Sequence, residues 1–265
     1  MNLKIVICKR IITASAVILC VLNATAETDF WFAQITDTHW GKDDNIQRTQ
    51  KIVTEINRLA IKLAFVVHTG DILDKKAKSR APLDTGLAIL KTLKYPVYFV
   101  PGNNDIPKNN FKIASEQYIQ TFGSLSSFIK NPLVSVITIF DFFAEDSSGK
   151  PAYDPIQKLD SLLKLAPIDI PIIIFQHFPI TDDLYDGVFH STWPKDKKDT
   201  FIALCEYHKV AGIICGHYHR DELNQIGSIP EFVAPPVAAK MGRQATFRIY
   251  HYENGRISYF TQYIE

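Results

Sequence analysis

The chain of 265 residues sets 29 lysines and arginines against 28 aspartates and glutamates, and 46% of its residues are hydrophobic. That near-neutral balance excludes a protein that grips nucleic acid through a basic face, and no internal repeat or low-complexity block is present. The length suits one large α/β domain or two small ones, and no linker argues for two.

The N-terminus carries Lys4, Lys9 and Arg10, then an apolar run over residues 11–22, then Ala24-Thr25-Ala26 before Glu27. A positive stretch, a short apolar core and a small-residue cleavage site in that order predict a secretory signal peptide over residues 1–26, with a single domain over 27–265. The apolar run is shorter than the ~20 residues that span a bilayer, so no stable membrane span is expected after cleavage. Leu19 stands before Cys20, where a lipoprotein signal wants a small residue. The expected location is secreted or periplasmic. Cleavage removes three cations and no acid, which turns the balance slightly acidic. It leaves Cys205 and Cys215, both in apolar contexts that favour two buried free thiols over a disulfide.

Residues 30–35, Phe-Trp-Phe-Ala-Gln-Ile, read as a first strand ending in Thr36-Asp37-Thr38-His39. Metal-ligating side chains at i and i+2 can converge on one ion where a strand gives way to a turn. Residues 45–63 place Ile52, Ile56, Leu59, Ala60 and Leu63 at helical spacing, which predicts an amphipathic helix. The chain returns to strand over 65–67 and delivers Gly70, Asp71 and Asp74 into a polar turn. Open α/β sheets bind ligands at such carboxyl edges. A helix over 83–93 and a strand over 97–100 repeat the unit, which closes in Gly102-Asn103-Asn104-Asp105. Strand and helix in alternation predict right-handed crossovers and a largely parallel sheet with its polar clusters along one edge.

Residues 133–140 read as another strand and 147–151 as a surface loop. Pro155 at a first-turn position, with Leu159, Leu162 and Leu163 on one face, predicts a helix over 154–165. Residues 171–175 form a buried strand that delivers His177. Residues 181–198 show no periodicity, and a long irregular loop in a compact domain is a candidate substrate lid. A helix over 199–208 and a strand over 210–215 lead to Gly216-His217-Tyr218-His219. Alternation over 246–252 and 257–263, joined through Asn254-Gly255, predicts a hairpin.

In chain order the polar clusters are Asp37-x-His39, Gly70-Asp71-x-x-Asp74, Gly102-Asn103-Asn104-Asp105, His177 and Gly216-His217-x-His219. This ordered set resembles the calcineurin-like metallophosphoesterase family, over nearly the whole chain after residue 26. The resemblance implies a four-layer αββα sandwich of two mixed β-sheets with a dinuclear metal site at the sheet edge, and it puts the C-terminal hairpin in the second sheet. It further implies that Asp37, His39, Asp71 and His219 hold one ion, while Asp71, Asn103, His177 and His217 hold the other. Carboxylate and imidazole suit two divalent ions of manganese, iron or zinc, and the lack of thiolate ligands argues against a structural zinc site. The implied reaction is hydrolysis of phosphate mono- or diesters by a hydroxide that the two ions share, without a protein nucleophile. A small-molecule phosphate ester is the expected substrate and no nucleic acid is expected, while the oligomeric state stays open.

One position departs from the family, which usually reads Gly-Asn-His-Asp or Gly-Asn-His-Glu where this chain has Asn104. An amide can donate a hydrogen bond to phosphate but cannot supply a proton near neutral pH. Asn104 is therefore expected to orient phosphate, with His190 or Tyr218 as the candidate acid. Tyr185, Phe189, His190 and Trp193 either wall a substrate pocket or pack the loop. Asp74 and Asp105 are expected as helix caps or as partners that orient a ligand, and His68 as a core histidine or such a partner. His208 and His251 read as structural, and Arg220 and Arg243 as surface charges rather than phosphate clamps. The alternative reading is a catalytically impaired module that binds metal and phosphate but lacks the acid. The complete set of ligand positions argues against it.

Overall fold

The computed structural model describes residues 28–264 apart from Lys78, 146–148, Lys150, Asp186, Thr192 and 240–242. The expected signal peptide lies outside the described residues. In chain order the elements are β1 (Asp29–Ile35), α1 (Asn45–Arg58), β2 (Leu63–Thr69), α2 (Ala81–Leu90), β3 (Val97–Val100), α3 (Phe111–Phe122) and β4 (Ser127–Lys130). Then come β5 (Ser135–Thr138), β6 (Ala144–Glu145), β7 (Pro151–Tyr153), α4 (Pro155–Leu163), β8 (Ile172–Phe175), β9 (Asp183–Tyr185), β10 (Val188–His190) and α5 (Lys195–Tyr207). The chain closes with β11 (Gly212–Cys215), β12 (Glu222–Ile226), β13 (Ile229–Val233), β14 (Ala245–Glu253) and β15 (Arg256–Ile264).

Local chemistry explains the boundaries. Helix α1 buries Ile52, Val53 and Ile56, and it stops at Arg58 because Leu59 takes an extended backbone. Leu63, which continues the helical spacing, instead pairs with Trp31 in the first sheet. Helix α4 starts where Asp154 accepts Ile156 N at 2.8 Å and Gln157 N at 3.3 Å, with Pro155 as its first residue. The hairpin β14–β15 turns through Asn254 and Gly255, both in the left-handed region that a two-residue loop between twisted strands demands.

Two mixed sheets result. The first runs β15-β14-β1-β2-β3, with β1, β2 and β3 parallel, β14 antiparallel to β1, and β15 antiparallel to β14. The second runs β12-β13-β11-β8-β5-β4, parallel through its four middle strands. Its edges, β12 and β4, pair antiparallel. Side chains on β1 alternate accordingly. Ala33 and Ile35 pack with Ile52, Val53 and Ile56 of α1, while Phe30 and Phe32 pack with Phe175, Ile214 and Phe232 of the other sheet. The outer face of the second sheet is covered by Leu159 and Leu162 of α4 and Phe201 and Cys205 of α5. Helix, sheet, sheet and helix thus form the expected four layers. Burial of each large apolar side chain between them contributes on the order of 1.5–3 kcal/mol.

The C-terminal hairpin does not join the second sheet as expected. It extends the first, because β14 pairs with the edge of β1 that β2 leaves open, in a register running from Asp29 with Glu253 to Gln34 with Arg248. Residues 181–198 are not one irregular loop either. They hold the β9–β10 hairpin and the first turn of α5, and the hairpin is fastened by ion pairs from Arg220 to Asp183 and from Lys198 to Asp182. Cys205 and Cys215 are free and buried, as their contexts predict. Among the described residues, no helix is long and apolar enough to cross a membrane.

Candidate metal centre

The parallel strands β1, β2, β3, β8 and β11 end along one edge, and each delivers a polar turn there. The first sheet brings Asp37 and His39, then Asp71, then Asn103 and Asn104. The second brings His177, then His217 and His219. Five of these residues hold a left-handed backbone: Asp37 (φ 52°), His39 (43°), Asp71 (53°), His217 (67°) and His219 (54°). Such conformations cost on the order of 1–3 kcal/mol each outside glycine and persist only where the surroundings over-determine them. The turns are in fact cross-linked. Asp37 N donates to Gly70 O at 3.0 Å, His39 N to Asp71 O at 3.0 Å, and Gly216 N to His177 O at 3.1 Å.

Two groups of ligand atoms gather there: Asp37, His39 and His219 in one, and Asp71, His177 and His217 in the other, with the atoms of each group within 4.8 Å of one another. In the first, His219 Nε2 lies 3.0 Å from Asp37 Oδ1 and 3.4 Å from His39 Nε2. In the second, His177 Nε2 lies 3.4 Å from Asp71 Oδ1 and 3.2 Å from Asn103 Oδ1. Asp71 reaches both, because its Oδ2 stands 3.8 Å from His39 Nε2. Asn104 attaches to the same carboxylate, donating its backbone N–H to Oδ1 at 2.8 Å and its side-chain amide to Oδ2 at 3.0 Å.

Surrounding groups aim these side chains. His177 Nδ1 donates to Thr69 O at 2.8 Å, which fixes the ring so that Nε2 is the nitrogen facing Asp71. Asp37 Oδ2 accepts from Thr36 Oγ1 at 2.7 Å and from His217 N at 3.1 Å. Asp105 caps no helix. It accepts Gly102 N at 2.8 Å, Ile72 N at 3.0 Å and Leu73 N at 3.1 Å, tying the Asp71 turn to the Asn103 turn. Asp74 closes its own turn on Lys76 N. His68 is buried, yet it also positions: its Nε2 meets Thr38 Oγ1 at 3.0 Å, and Thr38 in turn donates to Ile72 O. Sequence reasoning missed Thr36, Thr69 and Asp141. Buried Asp141 accepts the N–H groups of His177 and Phe178, and its one legible signal is an acid placed directly after an apolar run.

Burial opposes the charge on Asp37, but His219, His177 and His39 hold its carboxyl well below the usual range. Asp71 is also lowered, by His177 and His39 against its burial. In the polypeptide alone, burial works to discharge His177, yet the adjoining Asp71 charge pushes it up to about 10. Burial, with the charge on His177, takes His217 down to about 3. Burial and the Asp71 charge push Asp105 up to about 7. Two ionised carboxylates amid imidazole nitrogens form a net acceptor site of borderline hardness, and that donor set fits a pair of divalent cations.

The remaining expected residues divide. His190 lies near the centre, its ring 5.9 Å from that of His217. The side chain of Tyr185 falls outside the described residues, and Phe189 is 66% exposed. Trp193 is not a pocket wall. It is 2% exposed, wedged between Phe143 and Phe201 under α5, because its flanking polar residues conceal a core position. Tyr218, the other expected acid, is fully buried and its hydroxyl donates to Thr181 O at 3.0 Å, which leaves it no exposed proton to give and no surface for a substrate. Arg220 pairs with Asp183 and Glu222, and Arg243 donates to His219 O at 2.6 Å. A cavity of about 300 Å³ opens over the centre, lined by His39, Asp71, Asn103, Asn104, His217 and His219 with Lys42 and Lys75 at its rim. A larger one, about 840 Å³, lies at the amino ends of the strands near Thr28 and Ile168 and holds none of these residues.

The sequence pattern described as calcineurin-like phosphoesterase matches residues 30–221. A serine/threonine-protein phosphatase CPPED1 of Danio rerio is 26% identical over 215 residues, covering 76% of this chain and 68% of its own length. A 3',5'-cyclic adenosine monophosphate phosphodiesterase CpdA of Vibrio vulnificus is 23% identical over 213 residues, covering 75% and 73%. The fold is shared with a purple acid phosphatase, PPD1 of yellow lupin (Lupinus luteus) seeds, at a TM-score of 0.63 and 9% identity. That match covers 91% of this chain and 53% of the lupin chain, so this chain spans about half the length of that neighbour.

Proposed function

The chain belongs to the calcineurin-like phosphoesterase family of metal-dependent phosphoric ester hydrolases, and on that premise we propose that it hydrolyses phosphate mono- or diesters of small molecules. The observation that carries this reading is the pair of ligand groups joined by the two oxygens of Asp71. Asp37, His39, Asp71 and His219 would hold one ion, and Asp71, Asn103, His177 and His217 the other. A pair of divalent ions held there, of manganese, iron or zinc, would supply an activated water and neutralise phosphoryl oxygens. The polypeptide does the rest. Asn104, whose amide donates to Asp71 Oδ2 at 3.0 Å, would turn that amide outward to orient a phosphoryl oxygen, and His190, close to His217, is the side chain proposed to protonate the leaving alcohol. The cavity of about 300 Å³ supports a small substrate. We further propose that the chain works outside the cytoplasm, on the strength of its N-terminal pattern. The relatives named as phosphatase and phosphodiesterase favour an enzyme over an impaired binding module.

The test is a comparison of aryl phosphate monoester and diester turnover with Mn²⁺, Zn²⁺ and Fe²⁺ added in turn. Turnover is expected with at least one ion on at least one ester, and to vanish on chelation. Hydrolysis that survives chelation, or none with any ion, contradicts the proposal.

Asn104→His separately probes the missing acid. It is expected to raise turnover of an alkyl ester, a poor leaving group, by roughly 10²-fold, the lower end of what general-acid catalysis contributes, while aryl esters change little. His190→Ala is expected to lower the alkyl rate alone. Equal effects on alkyl and aryl esters would remove proton donation as the explanation.

A further inference from the structure

The layer between the sheets is built largely from Phe30, Phe32, Phe65, Phe175, Ile214 and Phe232, which set a spacing but no register. Apolar contacts are non-directional, so they tolerate small slips. Yet each ligand group draws on both sheets. Asp37 and His39 meet His219 across the gap, and Asp71 meets His177 and His217. Something directional has to hold the two edges together.

A polar seam crosses the layer just beneath the centre. Gln34, fully buried on β1, donates through Nε2 to Thr69 Oγ1 at 2.7 Å and to Cys215 O at 2.9 Å. Its Oε1 accepts the Tyr250 hydroxyl at 2.7 Å. Thr69 stands directly before Gly70-Asp71, Cys215 directly before Gly216-His217, and Gln34 shortly before Asp37. One side chain, itself at the root of a ligand-bearing turn, therefore bonds to the roots of two others, one on its own sheet and one on the other. The Thr69 carbonyl also receives His177 Nδ1.

The amide cannot flip freely. Tyr250 accepts from Arg248 Nη1 at 3.3 Å, which leaves its own proton for Gln34. Arg248 is fully buried, with Nη2 donating to Val233 O at 2.7 Å and to Asp221 Oδ1 at 2.6 Å, and its guanidinium lies 4.1 Å over the Tyr259 ring. Asp221 follows His219 by two residues, so the seam returns to the ligand turn it started beneath. A guanidinium held by fixed acceptors leaves the tyrosine hydroxyl one donor direction.

We propose that Gln34 is a positioning residue that sets the register of the two ligand-bearing sheet edges, with Tyr250 and Arg248 fixing the orientation of its amide. The consequence for metal binding rests on the dimetal reading above; the consequence for the histidine rings does not.

Gln34→Leu keeps the volume and removes both donors, and Tyr250→Phe removes only the hydroxyl that orients the amide. Two readouts follow. The ¹⁵N spectrum of the histidine rings, recorded without metal, is expected to show changed His177 and His217 signals in Gln34→Leu and smaller changes in Tyr250→Phe. Mn²⁺ titration followed by electron paramagnetic resonance is expected to show weaker spin coupling between the two ions in Gln34→Leu, with the second dissociation constant raised at least about tenfold. If wild-type protein fails to take up two Mn²⁺, the dimetal reading falls, and the ring spectra still decide the role of Gln34. Ring spectra unchanged in a folded Gln34→Leu overturn the proposal. Should that variant not fold, unchanged rings in Tyr250→Phe do the same.

Discussion

Asp71→Ala is expected to lower kcat by at least about 10³-fold, the upper end of what one preorganised electrostatic group contributes. It should also strip more metal from the protein than the loss of any other ligand. The reason is geometric: Asp71 Oδ1 serves the group around His177 and Oδ2 the group around His39. Removing it opens both sites together, and it frees the amide and backbone N–H of Asn104, which bond to the same carboxylate. Asn103→Ala, by contrast, withdraws one oxygen from one group. Elemental analysis after desalting distinguishes the two. Asp71→Ala should retain close to no metal and Asn103→Ala about one ion per chain, and equal retention would contradict the bridging assignment.

Gly102→Ala should approach the same loss without touching a ligand. An added Cβ there would sit closer than 3.0 Å to the backbone N and the carboxylate of Asp71, both fixed parts of the centre. Gly216→Ala meets Asp37 Oδ2 at 2.5 Å in the same way. Neither glycine has the positive φ that strains an L residue, so the effect is steric and local rather than a backbone penalty. We expect a fall of at least about 10²-fold in kcat/KM for each, comparable to losing one electrostatic contact in a transition state. Gly123→Ala serves as the control. Its φ is +92° but an added Cβ meets nothing within 4 Å, so it should cost stability and leave activity intact. Activity lost equally in all three would point to general destabilisation instead.

Much of this molecule is legible in its sequence. The candidate ligands are legible because each sits directly after an apolar run, and strand ends on one edge of a parallel sheet necessarily converge. The sheet membership of β14–β15 was not legible, since alternation of side chains tells which face is buried and not which neighbour the strand pairs with. Strand β13 escaped notice because Pro230 breaks its pattern, and helix α3 because its buried residues, Ala114, Ser115 and Tyr118, are small or polar. The seam through Gln34 was invisible for a different reason. A glutamine in an apolar strand reads as an edge or solvent position, and only the facing sheet supplies the partners that make its burial tolerable.

The left-handed backbones of Asp37, His39, Asp71, His217 and His219 bear on how such a protein can be improved. At each of these positions glycine would relieve the backbone, so any search that rewards thermal stability alone will drift toward discarding the ligands one by one. The positions of the candidate centre thus trade backbone comfort for ligand geometry. Stabilising substitutions belong elsewhere, in the helical layers and exposed turns, with these five positions held fixed.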